Sequence, residues 1–316
     1  MSDLSLHDTT LLCRFSAASG RLLDSLKKSP LRKKSKTYAV IRKAVNKATP
    51  LVQRAFIRAV IATQKGVDAP ALRKAYASGD IEGAVKAIPW DSIGEPIIRE
   101  QLVPALSEAM ASVAVAEAKT HGFDGFSIVD PKPAEFIARY GADKVVEISD
   151  GVRLGLRKTL SLARETGMPA TQVASQILPQ IGLHEAWTEA VHAYRDKLTL
   201  DSDLTERAVD REVARYANQL RLTRALNIAR TESAFASAAG QRQAWDAMAE
   251  DGFIDRAVAR RQWIESSNPC PQICEGMDGQ TVGLDEPFTG GDGSSIDDVP
   301  AHPGCACSSS LLPEGE

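Results

Sequence analysis

Aromatic side chains are scarce in this chain, at 5% of 316 residues, while Ala, Leu, Arg and Glu recur. That balance favours helices. No apolar run approaches the roughly 20 residues needed to span a bilayer. The N-terminus lacks the basic-then-apolar pattern of a secretory signal. Neither a sequence repeat nor a low-complexity block is present. No G-x-S-x-G and no Ser/His/Asp set appears, and no Glu stands beside a His in an H-E-x-x-H or H-x-E arrangement, which points away from serine hydrolases and catalytic zinc sites. Cysteine is limited to five residues. The expectation is a protein made and kept in a reducing cytoplasm, or in something assembled there, where clustered cysteines more often mean metal than disulfide.

What is present is an apolar fraction of 43%, enough for a core, and a strongly uneven charge. The net charge is −3, yet Arg21 to Arg58 holds twelve Lys/Arg and one acid, and Glu250 to Glu316 holds thirteen acids against three Arg. A basic arm that meets something acidic is expected, with an acidic end that stays solvated or meets something basic. Lys27, Lys28, Arg32, Lys33, Lys34 and Lys36 form an exposed link. Lys43 with Lys47, and Arg54 with Arg58, form basic stripes one helical turn long. These residues are candidates for gripping phosphates or an acidic partner; the plainer reading is a solvated helix face.

Periodicity predicts a mainly α protein, a multi-helix body ending in a small irregular β/loop knob. Leu11, Leu12, Phe15, Leu22, Leu23 and Leu26 fit one N-terminal amphipathic helix. Two helices follow, with Thr49 as N-cap and Pro50 opening the second. Residues 66–96, rich in Gly and Pro, read as a hinge region with short helices and as the best candidate for a boundary. A long helix near 100–120 carries Leu102, Leu106, Ala109, Met110 and Val113 on one stripe. A short helix ending at Gly141 and another capped at Ser149 or Asp150 come next, then helices near 185–198 and 203–249. Ala225, Ala229, Ala236 and Gly240 give the last of these a face open to close backbone approach. The expected division is a basic N-terminal helical arm (1–95), a helical body (96–222) and a Cys/His-rich C-terminal region (223–316).

The chemistry concentrates at the C-terminal end. Zinc takes four tetrahedral ligands, commonly in closely spaced pairs. Cys270 and Cys274 form one pair; His302, Cys305 and Cys307 form a second group with one ligand to spare. Four of these five would hold a structural zinc that staples a loop-rich, acidic segment. Free thiols packing a turn, or disulfides formed after release to an oxidising medium, are the alternatives. Cys13 reads as a buried or incidental thiol. Arg230 and Glu232 point to opposite sides of a helix and would reach separate partners, as interface or structural anchors. Gly290 to Ser295 lacks the Lys and helix of a phosphate loop and reads as a flexible loop.

Ala229-Arg230-Thr231-Glu232, Gly240, Trp245, Trp263 before the Cys-Pro-x-x-Cys knuckle, Asp278-Gly279, and Pro300-x-His302-Pro303-x-Cys305-x-Cys307 together resemble the Mu-F-like domain of phage minor head (head morphogenesis) proteins. The motifs cover about residues 200–312. The knuckle has one residue more than the Cys-Pro-x-Cys form of that family, and Ala306 stands where Arg is common. The resemblance implies a non-enzymatic virion component used in capsid assembly, associated with the portal protein ring inside the head, with major capsid or scaffold protein and packaged DNA as candidate further partners. Trp245 and Trp263 would then be structural anchors. Two other classes compete: a metal-dependent enzyme or effector delivered with the genome, with Glu265, Glu275 and Asp278 as its nearby bases, and a zinc-knuckle nucleic-acid-binding protein.

Overall fold

The computed structural model describes residues 36–127, 131–201 and 204–312. Helices dominate: α1 (Lys36–Gly66), α2 (Ala69–Ser78), α3 (Ile81–Lys86), α4 (Glu95–Thr120), α5 (Pro131–Glu165), α6 (Ala170–Ile177), α7 (Glu185–Asp201) and α8 (Glu206–Glu250). Five short strands follow: β1 (Arg260–Ile264), β2 (Thr281–Gly283), β3 (Phe288–Thr289), β4 (Ser295–Ile296) and β5 (Ser308–Leu311). The mainly α body with a small C-terminal β/loop region is therefore as the sequence led us to expect. The N-terminal Leu-rich helix, Cys13, and Lys27, Lys28, Arg32, Lys33 and Lys34 lie outside the described residues.

The chain divides into two compact units, one of Met1–Pro50, Leu106–Ile137 and Asn227–Glu316, the other of Leu51–Ala105 and Ala138–Leu226. This differs from the linear division at residues 95 and 222. Each boundary falls inside a long helix (α1, α4, α5 or α8), where no Gly/Pro cluster marks it in the sequence.

Three helix expectations need correction. Pro50 does not open a second helix; it lies within α1. The Thr49 hydroxyl donates to the Val45 carbonyl (2.7 Å), which ties its side chain back into the preceding turn. The stretch 66–96 forms the short helices expected of it, but they are packed rather than loosely hinged. Its Gly and Pro residues punctuate short packed helices: Asp68 and Asp80 cap α2 and α3 by accepting from Ala71 N (2.9 Å) and Gly83 N (2.8 Å), and Leu72, Ile88 and Trp90 are buried. Residues 131–165 form one helix, unbroken at Gly141 or Ser149. Gly141 serves close approach there, since a Cβ would stand 2.9 Å from Val103 Cγ1.

The second unit is built on apolar side chains from these helices. Phe56 packs on Trp90 at 6.3 Å between ring centroids, and Leu102, Val152, Leu156 and Leu160 are buried. Each such side chain contributes about 1.5–3 kcal/mol on burial. Arg224 is buried over the Phe56 ring and donates to the Gly182 carbonyl (2.7 Å); burial pushes its guanidinium down to about 10. On α7, Trp187 and Val191 face inward as the periodicity predicts. His192 is half-buried with its Nε2 unbonded, and burial holds its pKa below the ordinary value despite nearby Asp196.

In the first unit, α8 lies against α4. A Cβ at Gly240 would come within 2.1 Å of the Met110 carbonyl oxygen, so the small-residue face does bring two backbones together. One turn beyond Val113 on the α4 core stripe sits Glu117, 1% exposed. Its Oε1 accepts from Trp245 Nε1 (2.9 Å) and Gln241 Nε2 (3.2 Å), and lies 3.3 Å from His121 Nε2. Beyond α8, β1 pairs antiparallel with β2 on one side and β5 on the other, in order β2-β1-β5. Gly290 to Ser294 is not a loose loop but the turn of a β3–β4 hairpin, held by Gly290 N to Ser294 O (2.8 Å) and by Asp292 accepting from Ser294 N (2.9 Å).

Two outcomes are expected. Gly240→Val should cost about 3 kcal/mol by overpacking, read as a lower denaturant midpoint. Because the folded state binds its His192 proton less tightly than the unfolded chain does, stability should fall as pH drops below about 6.5, the ordinary His value. His192→Gln should flatten that slope in urea titrations at pH 7.5 and 5.5.

Candidate metal centre

The turn after β1 begins with Cys270. Cys274 N donates to Cys270 O (2.9 Å), Glu275 N to the same carbonyl (3.0 Å), and Met277 N to Cys274 O (3.2 Å). The C-x3-C spacing is thus one helical turn, closed by Gly276 at φ 87°. The β3–β4 hairpin pins it, with Gly291 N donating to Ile273 O (2.8 Å). Cys274 emerges fully buried among Trp263, Phe288, Ile296 and Met277.

The second group arrives on the segment that leads into β5. Cys305 N donates to His302 O (3.0 Å). Gly304, at φ 78°, donates its N–H to Thr231 Oγ1 on α8 (2.9 Å). Ser266 N approaches Cys307 Sγ at 3.5 Å. Cys305 and Cys307 are buried, and strand β5 starts at the next residue.

Three buried cysteines therefore meet: the sulfurs of Cys274, Cys305 and Cys307 all lie within 4.8 Å of one another, close enough to bind one metal ion. The Cys274–Cys305 separation is 3.8 Å. Tetrahedral bonds of about 2.3 Å to a thiolate-bound zinc would set sulfurs about 3.8 Å apart, the separation that Cys274 and Cys305 show. His302 adds a nitrogen, its Nε2 3.3 Å from Cys274 Sγ. Its Nδ1 lies 3.0 Å from the Pro303 carbonyl, an acceptor only, which places the proton on Nδ1 and leaves the Nε2 lone pair towards the sulfurs.

The electrostatics are those of a shared thiolate. Hydrogen bonds from Cys274 and then Cys307, with backbone donors, hold Cys305 well below the usual thiol range. Cys274 is raised, first by its bond to Cys305. Cys307 is pushed up to about 11: the bond from Cys274 lowers it, but Cys305 and burial outweigh that. One negative charge among three sulfurs is tolerated and further ones are resisted. A divalent cation would reverse that balance.

Of the five candidate ligands the fold clusters Cys274, Cys305 and Cys307, with His302 Nε2 beside Cys274 Sγ alone. Cys270 is half-buried and not one of the three clustered free thiols. Glu265 and Asp278 staple the turn: Glu265 N donates to Asp278 Oδ1 and Asp278 N to Glu265 Oε1, both at 3.1 Å. Glu275 is exposed. Trp245 and Trp263 are fully buried, Arg230 is exposed and Glu232 half-buried. Lys47 pairs with Glu108 and Arg58 donates to Gln101 (3.2 Å), while Lys43 and Arg54 are exposed; Lys36 opens α1.

Sequence reasoning missed Thr231, Glu117 and Arg261. Arg261 is 1% exposed, donates to the carbonyls of Glu286 (2.7 Å) and Asp297 (2.6 Å), pairs with Asp298 (3.0 Å) and lies over Phe288. Its position two residues from Trp263 marked it as sharing that buried strand face, and Glu117 sat on the α4 stripe. Thr231 carried no signal of its own. No family model, curated protein or solved structure matches the chain.

Thr231→Val should leave the Gly304 amide unpaired and cost about 1–3 kcal/mol. Hydrogen exchange should show the Gly304 amide deprotected, with Thr231→Ser restoring protection.

Proposed function

We propose that the protein is a structural, non-enzymatic component of a phage head, of the minor head type, whose C-terminal module is held by one zinc ion on Cys274, His302, Cys305 and Cys307. What carries this reading is the convergence of the motif residues. Thr231 of the Ala-Arg-Thr-Glu run holds Gly304 of the His-Pro-Gly-Cys run. Trp245 and Trp263 are core residues of the same unit, and Asp278 fastens β1 to the cysteine turn. The residues that resemble a Mu-F-like domain are thus those on which this module's packing rests.

A structural metal suits the geometry better than a catalytic one. Three thiolates and an imidazole complete a tetrahedron and leave no open position for water or substrate. Cys274 and His302 also form a Cys–His pair, but a fully buried sulfur offers no approach to an acyl group. Zinc supplies folding free energy here, and the ligand residues orient it: Pro303 O fixes the His302 tautomer and Ser266 N–H supports the Cys307 thiolate. In this reading the protein sits at the portal vertex inside the head, in contact with the portal ring and assembled in the host cytoplasm.

Protein purified under reducing conditions should contain one zinc per chain by elemental analysis. Cys305→Ser should lose the metal and render residues 260–312 protease-sensitive, whereas Cys270→Ser should keep it; retention of zinc by Cys305→Ser would remove the proposed ligand set. Mass spectrometry of purified particles and isolated portal should find the chain at low copy with the portal. Its absence from particles would discard the head assignment while leaving the metal centre standing.

A further inference from the structure

Helix α1 contains no Asp or Glu, and its exposed side is a stripe. Lys43, Lys47, Leu51, Arg54, Arg58 and Ile61 follow spacings of three and four and are all exposed. They fall within about 80° of arc at 100° per residue. Leu51 is 37% and Ile61 42% exposed, large apolar side chains set among cations. Lys43 and Arg54 have no carboxylate partner among the described residues. Like charges at this spacing repel along the helix unless something outside neutralises them.

The opposite imbalance lies at the other end of the chain. From Gln262 to Glu316 there are ten Asp/Glu and no Lys or Arg. Some of these are used internally, such as Asp298 on Arg261 and Asp285 on Arg242 and Arg256. Glu275 is exposed and in no ion pair among the described residues; Asp297 is also exposed, within electrostatic reach of Arg261 but not in the ion pair that Arg261 makes with Asp298.

We infer that the exposed α1 stripe is a docking surface for the acidic C-terminal module of a second copy of this chain, in head-to-tail self-association. One contact of this kind satisfies two surfaces that each lack a complement. Leu51 and Ile61 favour a protein surface over a phosphate backbone, since apolar side chains at the centre of a cationic patch add burial against protein and little against phosphate. The net charge of −3 likewise disfavours a polyanion as the main partner of the whole molecule. Because the two patches differ, the contact is heterologous, and successive copies close into a ring or extend as a chain. Exposed ion pairs bring at most about 1 kcal/mol each, so the association is weak, needs several pairs together, and is screened by salt with a Debye length of about 8 Å at physiological ionic strength. The inference does not depend on the metal or head assignments.

The test is sedimentation equilibrium of the full chain at low and high salt. Wild type should self-associate at low salt and dissociate at high salt. Lys43→Glu with Arg54→Glu, and separately Glu275→Lys with Asp297→Lys, should each weaken association about tenfold or more, with metal content unchanged. Mixing the two variants should restore association that neither shows alone. A chain carrying all four substitutions should regain self-association through swapped charges. A wild type monomeric at low salt, or a four-fold variant that fails to recover while folded by circular dichroism, overturns the inference. Loss of DNA retention by the Lys43/Arg54 variant with self-association intact also overturns it and assigns the stripe to phosphate.

Discussion

A carboxylate with no access to water fixes the arrangement of the C-terminal unit. Glu117 accepts from Trp245 and Gln241, and Gln241 donates a second bond to the Ser309 carbonyl in β5 (2.9 Å). Helix α4, helix α8 and the strand that follows the last cysteine are therefore tied at one polar point inside an apolar core. Breaking any of these bonds would strand a buried polar group, which costs more than the bond itself contributes. Apolar packing around Trp245 and Met248 brings the elements together; Glu117 specifies the rotation of α8 that puts Gly240 against Met110.

From that fixed helix the rest of the module is reached by short steps. Thr231 lies on the same helix as Gln241 and holds the loop containing His302 and Cys305. Arg242 and Asp246, also on α8, join Arg256 and Asp285 in a network of ion pairs that fastens the connections before and after the sheet. Arg261 gathers the carbonyls of two loops beneath Phe288. Backbone groups in a segment with little regular structure are thereby paired by side chains, as buried backbone requires.

Long-range features were legible where one physical signal dominated. The α4 stripe and the small-residue face of α8 followed from the spacing of their residues. The cysteine spacing marked the two segments that bring Cys274, Cys305 and Cys307 together. What misled was Gly and Pro. Pro50, Gly141 and the cluster at 66–96 read as breaks by local chemistry, yet tertiary contacts use them for helix continuity, close approach and caps. That Cys274 and not Cys270 joins Cys305 and Cys307 was not readable, because the two differ only in where one helical turn aims each sulfur. Thr231 gave no signal because its role depends on Gly304, 73 residues away.

The absence of any spacer between Cys307 and β5 has a mechanical consequence. Ligand and strand are one continuous piece, so slack at the sulfurs is passed directly to the pairing of Ser308–Leu311 with Arg261–Ile264. If that piece peels away, one side of β1 is left with open N–H and C=O groups, a template on which another chain can add a strand. The thiol cluster then acts as a latch on a sticky backbone edge, and keeping it shut protects the protein from joining its neighbours through the wrong surface.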